Sequence, residues 1–83
     1  MSILKVSIRQ VKAARALLGW SQNDLAGVSG ISEPTIKRLE AGQGDLGGRQ
    51  ATVDAIRAAL ESAGVEFTNG DAPGVRLRPT STA

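Results

Sequence analysis

Apolar positions recur along this chain with two different periods, helical over most of its length and alternating near its end. Ile8, Val11, Ala14 or Arg15, and Leu18 return at helical spacing, among the strong helix formers Ala13, Ala16 and Leu17. Ser7-Ile8-Arg9-Gln10 has the form of a capping box and Gly19 is the natural stop, so a first helix is predicted over residues 7–18. Ser21-Gln22-Asn23-Asp24 repeats the capping pattern and opens a second helix, running to about Gly27 or Val28 with Leu25 and Ala26 inward. Ser29-Gly30 breaks it, since glycine takes the positive φ of a tight turn without strain. Ser32 caps a third helix. The helix dipole favours Glu33, and Pro34 is tolerated in the first turn, where its missing N–H had no partner anyway. Ile36 and Leu39 share one face, Thr35, Lys37 and Arg38 look elsewhere, and the helix ends near Ala41.

Four glycines fall within residues 42–48, which read as a loop. Beyond it Val53, Ile56, Leu60 and Ala63 form an apolar stripe, predicting a fourth helix over 49–63 with Gly64 as its stop. Arg57 and Glu61 form an exposed i,i+4 pair on it. The period then changes to two. Val65-Glu66-Phe67-Thr68 and Val75-Arg76-Leu77-Arg78 alternate around the turn formers Asn69-Gly70-Asp71-Ala72-Pro73-Gly74, predicting a short hairpin over 64–78. Val65, Phe67, Val75 and Leu77 lie on one face of it. A lone two-stranded ribbon is marginal, so that face is expected to pack on the helices or on another subunit. Residues 1–6 are read as an arm and 79–83 as a tail. The whole is a mainly α domain of four helices with a short C-terminal β-hairpin.

Composition narrows the chemistry. The 83 residues contain no Cys and no His, which removes disulfides, thiolate metal sites and the commonest general base and metal ligand. Acidic residues show no paired spacing, no Ser has a base partner, and the glycine loop lacks the Gly-Lys-Ser/Thr end of a phosphate-binding loop. No catalytic residue, metal or cofactor is therefore expected. One Phe, one Trp and no Tyr argue against stacking on single-stranded nucleic acid. No apolar run nears the roughly 20 residues that span a bilayer, and residues 1–7 lack a secretory signal. Ten Lys+Arg against eight Asp+Glu leave a net charge of +2, compatible with a polyanion without demanding one. What remains is a cytoplasmic binding module.

The informative stretch is SQNDLAGVSGISEPTIKRLEAG, residues 21–42. Two short helices joined through Ser29-Gly30-Ile31 must cross steeply for Leu25, Ala26, Ile31, Ile36 and Leu39 to share one small core. The outer face of the third helix is then free to enter a major groove about 12 Å wide. Ser21, Gln22, Leu25, Ala26, Gly30, Ile31, Ser32, Ile36, Leu39, Glu40 and Gly42 match, without a gap, the pattern of the phage-repressor/Cro-type, XRE-like helix-turn-helix regulators. The chain resembles that family over residues 7–63, and the trailing GVEF and GVRLR segments, residues 64–67 and 74–78, resemble the tail of a set of short bacterial members. The resemblance implies a four-helix, lambda-repressor-like domain that binds double-stranded DNA.

It also implies roles for particular residues. Gln22 would donate to a DNA phosphate. Ser32, Glu33, Pro34 and Thr35, at the tip of the third helix, would approach DNA, with Glu33 accepting from a cytosine amino group or simply complementing the helix dipole. Lys37 and Arg38 would meet a guanine edge or flanking phosphates, and Arg49 the next phosphates. Arg9 and Lys12 are further basic groups on the first helix. Arg15 and Glu40 are expected to form a structural ion pair, and Trp20 to pack at the corner between the first two helices. Two features oppose this picture. Residues 21–42 carry a net charge of −1 (Lys37 and Arg38 against Asp24, Glu33 and Glu40), and Gly27 within a helix costs about 0.5–1 kcal/mol relative to Ala.

The functional expectation is a homodimeric repressor that occupies an operator, with two third helices in half-sites about one helical turn apart. Its dimer contact would come from the fourth helix, the hairpin or both. The alternative is an antitoxin-like module that binds a protein partner through the hairpin, with DNA contact secondary.

Overall fold

Three serines begin the first three helices. The computed structural model describes residues 6–68 and 73–79. In it Ser7 caps α1 (Ile8–Leu18), Ser21 caps α2 (Gln22–Ser29) and Ser32 caps α3 (Glu33–Glu40). The first two are full capping boxes. Ser7 Oγ accepts from Gln10 N at 3.1 Å while Gln10 Oε1 accepts from Ser7 N at 2.8 Å, and Ser21 and Asp24 repeat the exchange at 3.0 and 2.9 Å. Each cap satisfies N–H groups that the helix itself leaves unpaired, which lets helices of only eight residues have defined starts. Gly30 closes α2 at φ 77°, the left-handed conformation that the turn into α3 requires. Arg49 stands at the N-cap of helix α4 (Gln50–Ser62) and makes no side-chain cap.

The strands β1 (Val65–Thr68) and β2 (Gly74–Leu77) pair antiparallel, Val65 opposite Leu77 and Phe67 opposite Val75. Residues 69–72 of the predicted 69–74 turn, and the outer parts of the arm and tail, residues 1–5 and 80–83, lie outside the described residues. The bounds of the elements shift by one or two positions from those expected. Helix α2 continues to Ser29, Arg49 stands before α4 instead of within it, and β2 begins at Gly74.

One apolar core joins every element. Leu25, Ile36, Ile56, Leu60, Val11 and Val65 are its largest fully buried side chains, with Leu18, Trp20, Ala26, Ile31, Leu39, Val53 and Val75 packed around them. Helix α3 packs chiefly on α1 and α2, whereas the hairpin packs on α1 and α4. Helix α1 thus touches both α3 and the hairpin.

The hairpin face is covered only in part within one chain: Val65 and Phe67 are 1% and 8% exposed, but Leu77 is 43% exposed. The glycine-rich segment is more than a loop, because Leu46 N donates to Val6 O at 2.8 Å and Ile8 N to Gly44 O at 2.9 Å. Ser7 and Asp45 form an isolated antiparallel bridge there, and Val6 and Leu46 both enter the core. Backbone pairing between distant segments has no periodic trace in sequence. At Gly42 a Cβ would stand 3.3 Å from Ile8 Cδ1, so the chain leaves α3 close against α1. Gly27 has open space around it, and nothing in the structure requires glycine there.

Gln10 ties the hairpin down. Its side chain is buried, and Nε2 donates to Thr68 O at 2.8 Å and Gly74 O at 2.9 Å, one carbonyl from each strand. Oε1 already serves the α1 cap, so one amide spans the helix start and the turn end of the ribbon. Gln10→Ala is expected to destabilise the fold by about 1–3 kcal/mol, the range for stranding buried polar partners. Hydrogen exchange should show the strand amides losing protection before those of α2 and α3. Equal loss in all elements would mean that the hairpin does not depend on this contact.

Candidate nucleic-acid interface

The orientation of α3 is set by a buried carboxylate. Glu40, at its last turn, is 3% exposed and receives Arg15 from α1 in a two-point contact, Nε to Oε2 at 2.8 Å and Nη2 to Oε1 at 2.6 Å. Gln22 from α2 donates Nε2 to Oε1 at 3.0 Å, so three helices meet on one side chain. Arg15 Nη1 also donates to Trp20 O at 3.0 Å, which draws the α1–α2 corner into the same network. Burial pushes the Glu40 carboxyl up. The hydrogen bonds from Arg15 and Gln22, the Arg15 charge and a smaller contribution from Lys12 outweigh it and hold the group below the usual carboxylate range. A planar guanidinium locked on both carboxylate oxygens resists rotation better than a single contact, so the crossing of α2 and α3 is defined by geometry as well as packing.

The opposite surface of α3 is uncovered. Pro34, Lys37 and Arg38 are exposed, Thr35 and Glu33 half-buried. Ser32 Oγ donates to Thr35 Oγ1 at 2.8 Å and accepts from Thr35 N at 3.4 Å, which uses the serine as a cap and leaves it exposed at the tip. Glu33 is the first helical residue, where the dipole favours its charge, and its Oε1 accepts from Asn23 Nδ2 at 3.1 Å. Asn23 was not among the expected site residues. It matches no position of the motif, and only the crossing of the two helices brings residues ten apart into contact.

Arg49 lies across a notch from α3. The notch, about 320 Å³, is lined by Thr35, Arg38, Leu39, Gly48, Arg49 and Thr52, with both arginines exposed at its rim. Thr35, Arg38 and Arg49 therefore share one side of the molecule, and Thr52 joins them. Arg9 and Lys12 line a different cleft, beside Ala41, Gly42, Gln43 and Gly44. Gln22 is half-buried, with one of its two amide hydrogens committed to Glu40. Chemically, the α3 side offers hydroxyl, guanidinium and ammonium donors together with one oriented carboxylate acceptor, a mixture suited to base edges and phosphates.

No helix among the described residues is long and apolar enough to cross a membrane. A family model described as helix-turn-helix matches residues 11–62, from the second turn of α1 to the end of α4. No curated protein matches the chain.

Proposed function

From its membership of the Cro/C1-type, XRE-like helix-turn-helix family of DNA-binding regulators, we propose that this chain is a sequence-specific repressor that occupies an operator as a homodimer. Helix α3 is the reading element and enters the major groove with its tip toward the base edges. The observation that carries this reading is the combination of an uncovered α3 surface with a buried Arg15–Glu40–Gln22 network behind it. A helix presented this rigidly loses little freedom on binding.

Each residue then has a task. Arg38 makes the two-point contact to guanine O6 and N7, and Lys37 meets a flanking phosphate. Glu33, turned by Asn23, accepts from a cytosine amino group through its second oxygen. Thr35 and Ser32 offer hydroxyls at the tip, and Pro34 sets the start of the helix against the groove wall. Gln22 gives its remaining N–H to a phosphate, and Arg49 holds the next phosphates along the backbone. The −1 charge of residues 21–42 is offset by Arg49 and, farther out, by Arg9 and Lys12. A single small domain presents a limited interface, and two linked half-sites raise affinity without new kinds of contact.

Selection of bound duplexes from a random pool by the purified chain tests this directly. An inverted repeat with half-sites about one helical turn apart is the expected product. Arg38→Ala should weaken binding to that sequence by about 1–3 kcal/mol and relax preference at one base pair of each half-site. Recovery of no common sequence would overturn the proposal, and uniform weakening on all duplexes would reassign Arg38 to a phosphate.

A further inference from the structure

We infer that the free edge of β2 is where a second copy of this chain joins, strand against strand about a twofold axis, making one four-stranded antiparallel sheet from two hairpins. The inference takes the need for two copies from the regulator reading above and names the surface that supplies them. Arg78 N donates to Gly64 O at 2.8 Å, which with the strand register makes Gly64–Arg78, Glu66–Arg76 and Thr68–Gly74 the hydrogen-bonded pairs. The N–H and C=O groups of Val75 and Leu77 consequently point away from β1, and none of them has a partner among the described residues. Two donors and two acceptors placed symmetrically about Arg76 are their own complement under twofold rotation. With Arg76 opposite Arg76 of the second copy, each Val75 pairs with a Leu77 and four N–H···O bonds form.

Side chains agree with that register. Leu77, 43% exposed in one chain, would be covered by Val75 of the second copy, extending the apolar face across the axis. On the outer face Arg76 is ion-paired with Glu66, so the facing arginines each arrive neutralised and the row reads Glu-Arg-Arg-Glu. Pro73 and Pro79 flank the strand and carry no N–H, which limits the pairing to β2 itself. The other edge of the ribbon is closed, because Val65 and Phe67 are already buried. One open edge per chain gives a closed pair and not a fibre. The hairpin packs on α1 and α4 and not chiefly on α3, so the pairing leaves the α3 surface open.

Sedimentation of the full chain across a concentration series, with hydrogen exchange at single amides, tests the assignment. The wild-type chain should reach twice its 8.6 kDa mass, and the amides of Val75 and Leu77 should become protected as the dimer fills. Leu77→Lys should weaken dimerisation by roughly tenfold or more, since an edge lysine opposes strand pairing. Val75→Pro removes an outward N–H that the hairpin ladder does not use, and should act the same way. Circular dichroism is expected to show both variants folded. Unchanged dimerisation in folded variants, or a dimer whose Val75 and Leu77 amides stay unprotected, would overturn the surface. A wild-type chain that stays monomeric at every concentration and never protects those amides would overturn it too. The two readings separate cleanly: loss of the dimer in Leu77→Lys with no DNA selected by wild type keeps the surface and removes the regulator. An inverted repeat bound equally well by wild type and Leu77→Lys does the reverse.

Discussion

Arg15→Ala is expected to lose about 3–5 kcal/mol of stability, toward the lower end because the arginine keeps some solvent contact. The loss does not come from a missing attraction alone. Glu40 would remain buried with Gln22 as its principal partner, and an ionised carboxylate left inside a protein carries most of its desolvation penalty. The effect has a distinctive pH dependence. In the wild-type chain the folded Glu40 carboxyl titrates below its unfolded value. The stability it contributes is therefore fully present above the unfolded carboxylate range and is lost as pH falls through the lower, folded value. Without Arg15, burial is no longer outweighed by the remaining contacts of Glu40, and this acid-side loss should disappear. Urea unfolding of both chains at neutral pH and down to about pH 3 provides the check. A difference below about 0.5 kcal/mol at neutral pH would place the pair among solvent-screened surface contacts.

Leu25→Ala is expected to cost about 2–5 kcal/mol, as truncation of a fully buried leucine does when the cavity cannot collapse. Leu25 is 0% exposed and is the one buried residue of α2. A domain of this length has about 4–12 kcal/mol in total at the usual stability per residue, so this single change removes a large share of it. Partial collapse is unfavourable here because α2 is short and capped at both ends, leaving little slack to move inward. Thermal unfolding should show a much lower midpoint. Val28→Ala on the same helix, 55% exposed, should stay within about 0.5 kcal/mol. Comparable losses from both would mean that α2 is held by its helix propensity and not by its anchor in the core.

How far this fold can be read ahead of coordinates depends on the range over which each signal acts. The three serine caps, the stops at Gly19 and Gly30, and the stripe through Ile56 and Leu60 depend on neighbours within a turn or two, and they stand where the pattern places them. The Arg15–Glu40 pair was reachable only through the family likeness, since nothing in a spacing of 25 residues brings two charges together. Gln10 shows the opposite case. Its place in a capping box is written locally, yet the same amide also holds two strand carbonyls some sixty residues away.

Local order along the chain thus establishes which residues are helical, where each helix starts and stops, and which face of it is apolar. These follow from backbone hydrogen bonds and side-chain period within a few residues. The meeting of Val6 with Leu46, the contact of Asn23 with Glu33, and the exposure of Leu77 beside a buried Phe67 belong to the assembled molecule. They depend on how helices cross and on which surface runs out of neighbours, and those are properties of packing in three dimensions that no window of sequence contains.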